Sequence, residues 1–284
     1  MKLSKKYEYL FEMKKLVILC FNFLILVILN IHFSEKIYVT LTSWKGRIKY
    51  INNNLESLLN NSIKPKKVIL NLSIEEFPNK NLDLPKEILI LLKKYDNFEI
   101  FWVKKNNNVF KKLIPTIKRF KKDLIISLDD DILYPNNTFE KMLKCYDKLG
   151  RNNPVSFGTI YSDWKINGKV IHSHFGAGSI VKYKFFNNKI DEIYKYTTID
   201  RINKGIKCQD DTLYTYAALL NGYKYLRCKE YTINLKFHKH FLKSSFSENY
   251  KRNYLIRLNQ YHKKIKYFIL KKYNITIKNL IEKI

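Results

Sequence analysis

Three consecutive carboxylates, Asp129, Asp130 and Asp131, close an apolar run in SLDDDILYP (127–135), in a chain with 25 Asp+Glu against 53 Lys+Arg. Adjacent like charges repel, so placing them where a strand leaves its sheet is costly unless something positive binds there. A divalent cation held by oxygen ligands is the natural candidate. In extended backbone, residues two apart face the same way, so Asp129 and Asp131 are expected to point together and Asp130 elsewhere. The competing reading is a solvated acidic turn closed by Pro135, and placement at the end of a strand argues against it. A second acidic pair, Asp210 and Asp211, lies in CQDDTLYTY (208–216). Carboxylates are also favoured in the first turn of a helix by its dipole, whatever their chemistry. Thr42, Ser43 and Arg47 in TSWKGRI (42–48) offer backbone N–H groups and a guanidinium suited to phosphate, although a serine there serves equally as a helix cap.

The elements that must carry these residues are read from periodicity. Short β-branched runs at 37–42, 67–72, 98–103 and 124–128 alternate with amphipathic stretches over 48–60, 86–94 and about 109–120. Strands spaced by helices imply a largely parallel sheet covered on both faces. In such open sheets ligands bind beyond the carboxyl ends of the strands, which is where the candidate residues fall. Beyond residue 140 the pattern loosens, with helices expected near 139–149 and 210–221 and loop-like stretches around Pro154 and Gly168.

Of the 284 residues 46% are hydrophobic and 15% aromatic, which excludes a disordered basic tail; eight Gly and no internal repeat exclude collagen and solenoid architectures. All but seven of the basic residues are lysine, and Asn and Ile are also abundant, as coding bias alone would produce. The net charge of +28 nevertheless creates a field that attracts phosphates and anionic lipid headgroups. The lysines are spread along the chain and no DNA- or RNA-binding motif occurs, so no specific nucleic-acid partner is expected. A metal-dependent nuclease or a basic nucleic-acid-binding protein is the alternative class. The four cysteines show neither a CxxC pair nor a disulfide spacing, which favours a reducing compartment. The Asn-X-Ser/Thr triplets at Asn60, Asn71, Asn136 and Asn274 are expected by chance in so Asn-rich a chain. Residues 16–33 form an uncharged apolar run behind Lys2, Lys5, Lys6, Lys14 and Lys15, read as a membrane anchor or peripheral helix. Residues 241–284 carry lysines among Tyr, Ile and Leu, as in basic amphipathic helices at a membrane surface. The expected organisation is therefore a basic N-terminus with an apolar anchor (1–33), a folded domain (34–240) and a basic helical tail (241–284).

In order and spacing, TSWKGRI (42–48), KPKKVILNLS (64–73), KKLIP (111–115), DLIISLDDDILYP (123–135), GAGS (176–179) and QDD (209–211) together resemble nucleotide-sugar-dependent glycosyltransferases of GT-A fold, close to family 2-like bacterial enzymes that build surface polysaccharides. The resemblance covers about residues 36–240 and implies an α/β fold of Rossmann-like type, with a mixed, mostly parallel sheet flanked by helices. It implies Mn²⁺ or Mg²⁺ at a D-x-D-type motif, with Asp131 and Asp129 on the metal and Asp129 and Asp130 toward the donor. Thr42, Ser43, Arg47, Lys111, Lys112, Gly176 and Gly178 would line the donor site. By position, Asp210 and Asp211 match the "ED" motif of inverting members, with Asp211 as catalytic base; His238 in FHKH (237–240) matches a late histidine that some members use on the metal. The implied donor is a nucleotide sugar, with a UDP-sugar expected, and the acceptor a glycan or lipid-linked species. The implied location is an anionic membrane surface, on the cytoplasmic face of a bacterial inner membrane.

Overall fold

The computed structural model describes residues 13–21, 35–157, 164–166, 169–172, 178–195, 210–228, 236–237, 267 and 270–282. Residues 1–36 and 37–284 form two separate units. In the first, residues 13–21 are helical, and Leu16, Val17, Ile18, Leu19 and Phe21 are all exposed. No described helix is long and apolar enough to cross a membrane, and the run at 16–33 is described only as far as residue 21.

The second unit is built on strands β1 (Ile37–Thr42), β2 (Lys67–Ser73), β3 (Phe98–Val103), β4 (Leu124–Ser127), β5 (Ile132–Leu133), β6 (Val155–Ser156), β7 (Trp164–Ile166), β8 (Lys169–His172), β9 (Ser179–Val181), β10 (Leu226–Arg227) and β11 (Lys236–Phe237). Its helices are α1 (Asn52–Leu59), α2 (Lys86–Lys94), α3 (Ile114–Arg119), α4 (Thr138–Lys148), α5 (Asp210–Leu220) and α6 (Ile277–Glu282). Seven strands form one sheet in the order β10-β6-β9-β4-β1-β2-β3. The pairs β1–β2, β1–β4, β2–β3 and β10–β6 are parallel, while β9 runs antiparallel to both β4 and β6. This is the mixed, mostly parallel α/β sheet that the alternating strands and helices predict.

Side-chain alternation sorts the core into two layers. Val39, Leu41, Val68, Leu70, Leu124 and Ile126 face Leu55 and Leu58 of α1, Ile88 and Leu91 of α2, and Phe139 and Met142 of α4. Tyr38, Ile69 and Ile125 face Ile117 of α3 and Leu213, Tyr214 and Ala217 of α5. Fully burying each such aliphatic side chain contributes about 1.5–3 kcal/mol, so two covered faces hold the sheet's carboxyl edge rigid. The last helix belongs to this body: Leu280 is buried in the second layer, and the Tyr273 hydroxyl donates to Glu192 Oε2 at 2.5 Å. The described end of the basic tail is thus docked on the domain.

The cysteines depart from the sequence reading. Cys145 of α4 and Cys228, just after β10, form a disulfide across 83 residues, and both are buried. Their spacing gave no sign of it because α4 and β10 meet only through the sheet, and the cysteines no longer argue for a reducing compartment. The two short strands β6 and β9 also lie where only loops or a glycine turn were expected, since two- or three-residue strands leave no periodicity to read.

Candidate functional site

The site forms at the carboxyl ends of β1 and β4, the two central strands, which are paired with each other in parallel. After β1 the chain turns sharply: the Trp44 carbonyl accepts from the N–H groups of Arg47 and Ile48 at 2.9 and 3.0 Å. The turn folds Arg47 back over the end of β4, where its Nη1 lies 2.6 Å from Asp130 Oδ1 and 3.4 Å from Asp131 Oδ2. Ser43 is buried in the same turn, and Thr42 donates its hydroxyl to the Asn71 carbonyl at 2.7 Å, within the sheet.

Lys112 comes from the segment between β3 and α3. It is buried, and its Nζ lies 2.9 Å from Asp129 Oδ1 and 3.1 Å from Asp210 Oδ2 at the start of α5. One ammonium therefore joins two acidic motifs 81 positions apart in sequence. Burial works against its charge, but Asp129, Asp210 and Asp211 prevail and hold it well above the ordinary lysine value. The main chain at Lys112 is fixed from below by a buried polar network. Its carbonyl accepts from Thr40 Oγ1 at 2.5 Å and Asn71 Nδ2 at 3.3 Å, and Asn71 also donates to Thr40 and Thr116. Such groups are tolerated inside a protein only when paired, so the network locates Lys112 as well as filling space.

The three aspartates follow the expected alternation only in exposure: Asp130 and Asp131 lie in a turn rather than in extended backbone and share Arg47, while Asp129 pairs with Lys112. The Asp130 side chain is 6% exposed against Arg47, whereas Asp129 and Asp131 are 29% and 20% exposed on the open side. Burial, followed by repulsion from Asp129 and Asp130, pushes the Asp131 carboxyl up to about 6, with Arg47 opposing. Burial likewise raises Asp210 to about 6, with Lys112 opposing and Asp211 adding to the shift. Asp130 is raised as well, by burial, against the pull of Arg47. Asp211 is buried beside Asp210 in the first turn of α5.

The other expected residues are placed as follows. Lys111 is buried but turns away from the aspartates, pairing with Glu76 Oε2 at 2.6 Å and Asn106 Oδ1 at 2.7 Å beyond the ends of β2 and β3. Gly178, at φ +127°, lies beneath the acidic turn, where a Cβ would come within 2.9 Å of the Leu128 side chain. Its missing side chain makes room for the residue that precedes Asp129. Gly176 and His238 lie outside the described residues. The strand that ends one residue before His238 is β11, which pairs Phe237 with Ile132, the residue after Asp131.

A divalent cation fits the character of this donor set. The carboxylates of Asp129, Asp130, Asp131, Asp210 and Asp211 outnumber Arg47 and Lys112 by three, and Asp130 Oδ2 is buried with no hydrogen-bond partner among the described residues. No three His, Cys, Asp or Glu side chains among the described residues converge into a closed metal cage.

No family model matches the chain, and no curated protein matches it significantly. Several solved structures are similar in fold at low identity. S. aureus TarS in complex with UDP-GlcNAc aligns at 15% identity and a TM-score of 0.48, over 70% of this chain and 57% of that one. The mannosyltransferase PcManGT from Pyrobaculum calidifontis, in complex with GDP-Man and Mn²⁺, aligns at 12% and 0.45, over 69% and 55%. The 4-diphosphocytidyl-2C-methyl-D-erythritol synthase from Anaerococcus prevotii aligns at 14% and 0.45, over 74% and 94%. The chain thus spans less than two thirds of the TarS and PcManGT chains it matches. At these TM-scores and identities the comparisons assign no activity, and what the chain does is argued from its own residues.

Proposed function

We propose that this chain is an inverting glycosyltransferase that moves a sugar from a nucleoside diphosphate donor, a UDP-sugar by expectation, to a hydroxyl of a glycan or lipid-linked acceptor. The observation that carries the reading is Lys112, whose ammonium joins Asp129 to Asp210 and so brings the two acidic motifs into one site. Asp131 and Asp129 are the residues that would hold Mn²⁺ or Mg²⁺. When bound, the ion supplies Lewis-acid stabilisation of the departing diphosphate.

The chain's own groups account for the remaining work. Arg47 and Lys112 are fixed cations beside the aspartates, so negative charge developing on the leaving diphosphate meets positive groups that need no reorganisation. Asp211, in the first turn of α5, would take the proton from the acceptor hydroxyl as its oxygen attacks the anomeric carbon. Direct displacement of this kind inverts the anomeric configuration. Lys112 keeps Asp210 beside that base. The exposed apolar helix at 13–21 and the +28 charge support action at an anionic membrane surface.

Donor hydrolysis and transfer, assayed with Mn²⁺ or Mg²⁺, test the reading. Asp211→Asn is expected to lose about 10²–10⁴ in turnover while still binding UDP, and Asp131→Ala to lose metal-dependent UDP binding. Full activity in both variants would remove the proposed site. Metal-dependent cleavage of nucleic acid without UDP binding would favour a nuclease instead.

A further inference from the structure

Asn54, buried on the inner face of α1, donates from one Nδ2 to two carbonyls of the acidic turn: Asp129 O at 3.0 Å and Ile132 O at 2.5 Å. These carbonyls bracket Asp130 and Asp131. From the other side, the N–H of Asp129 donates to the Tyr134 hydroxyl at 3.0 Å, and Tyr134 is buried as well. Both backbone polar groups of Asp129 are therefore satisfied by side chains rather than by the sheet ladder. Tyr134 is itself tied to α1, since its N–H donates to Ser57 Oγ at 3.3 Å and that hydroxyl donates to the Asn54 carbonyl at 2.7 Å.

The chemistry of the clamp is specific. Two carbonyl oxygens facing one side-chain atom require a donor with two hydrogens, which only the NH₂ of an amide supplies at this length; Oδ1 in that position would repel both. Three neighbouring carboxylates tend to splay apart; Arg47 and Lys112 oppose this at the side chains, but at the main chain the turn is followed only by the two-residue β5 and its pairing with β11. We infer that Asn54 and Tyr134 are positioning residues that pin the backbone of the Asp129–Ile132 turn, so that its carboxylates hold the spacing needed to receive a nucleoside diphosphate with its cation. The inference rests on the donor-binding reading above and adds to it two residues that touch neither donor nor acceptor. Asn54 and Tyr134 act through main-chain atoms, which is why neither the aspartate motif nor the basic residues around it point to them.

Tyr134→Phe is the decisive variant, because it keeps the buried ring and removes only the acceptor of the Asp129 N–H; Asn54→Ser is its companion on the carbonyl side. UDP binding is titrated calorimetrically over a series of Mn²⁺ concentrations, alongside the melting temperature and backbone amide hydrogen exchange. Tyr134→Phe is expected to weaken UDP binding and raise the half-saturating Mn²⁺ concentration by about three- to tenfold, while in ligand-free protein amide exchange accelerates only at residues 129–132. Donor KM should rise with acceptor KM unchanged, a split that a purely structural contribution would not produce. Wild-type UDP affinity and Mn²⁺ dependence in Tyr134→Phe would overturn the inference, even if Asn54→Ser failed to fold. Should the wild-type protein bind no UDP with either metal, the donor reading falls. The pin is then read from exchange in the ligand-free protein, where unchanged rates at 129–132 overturn it too.

Discussion

Lys112 is buried between two carboxylates supplied by different halves of the chain. Removing one partner of such an arrangement leaves the others desolvated, which costs about 3 kcal/mol or more. Lys112→Met is therefore expected to lower the denaturation midpoint and to abolish UDP binding together, as read by chemical unfolding and calorimetry on one sample. The raised carboxyls make a second prediction. With Asp131 and Asp210 near 6 in the folded chain against an ordinary 3.8, the folded state holds more protons than the unfolded one between about pH 4 and 6. Stability from these groups is present below that window and is lost as the pH rises through it. Melting of the ligand-free protein should thus show a higher Tm at pH 5 than at pH 7, with the difference reduced in Asp131→Asn; a difference unaltered by that substitution would place the titration elsewhere. At this scale Asp129 to Asp131, Asp210, Asp211, Arg47 and Lys112 were legible, because charge at a strand or helix end is conspicuous in a sequence. Asn54, Asn71 and Tyr134 were not, since Asn and Tyr are abundant throughout this chain and their bonds join positions 5 to 78 residues apart.

Among the elements, β1 to β4 and helices α2, α4 and α5 fall where apolar periodicity placed them, whereas the stretches 48–60 and 109–120 each divide into a 3-10 turn and a shorter helix, α1 and α3. β6, β9 and the disulfide escaped because they are defined by what they pair with, not by local pattern. The Cys145–Cys228 bond ties α4, which follows the acidic turn, to β10, which follows α5. It thereby braces both segments that carry the aspartates. Reduction, or the Cys145→Ser, Cys228→Ser double variant, is expected to lower Tm by roughly 5–15 °C, with a larger effect on activity at elevated temperature than at 25 °C. Gly178→Ala combines a φ of +127° with a Cβ 2.9 Å from Leu128 and 3.2 Å from Met142. It should cost about 1–3 kcal/mol in chemical denaturation and weaken UDP binding by displacing the residue before Asp129.

Across the whole molecule, the charge of +28 and the exposed apolar helix at 13–21 predict salt-sensitive binding to anionic vesicles. Flotation with phosphatidylglycerol liposomes should fall sharply between 50 and about 300 mM salt, and should weaken when residues 1–36 are removed while UDP binding is kept. Loss of UDP binding on that truncation would show that the two units are not independent. The sheet order has a consequence in time as well. β1 to β4, with Arg47, Lys112 and the aspartate turn, are complete by residue 133, whereas β9 enters antiparallel and α5 brings Asp210 and Asp211 only after residue 209. As the chain leaves the ribosome, β1 to β4 are therefore made well before α5, whose Leu213, Tyr214 and Ala217 cover their second face and whose Asp210 pairs with Lys112, so the site is assembled only once α5 has been synthesised.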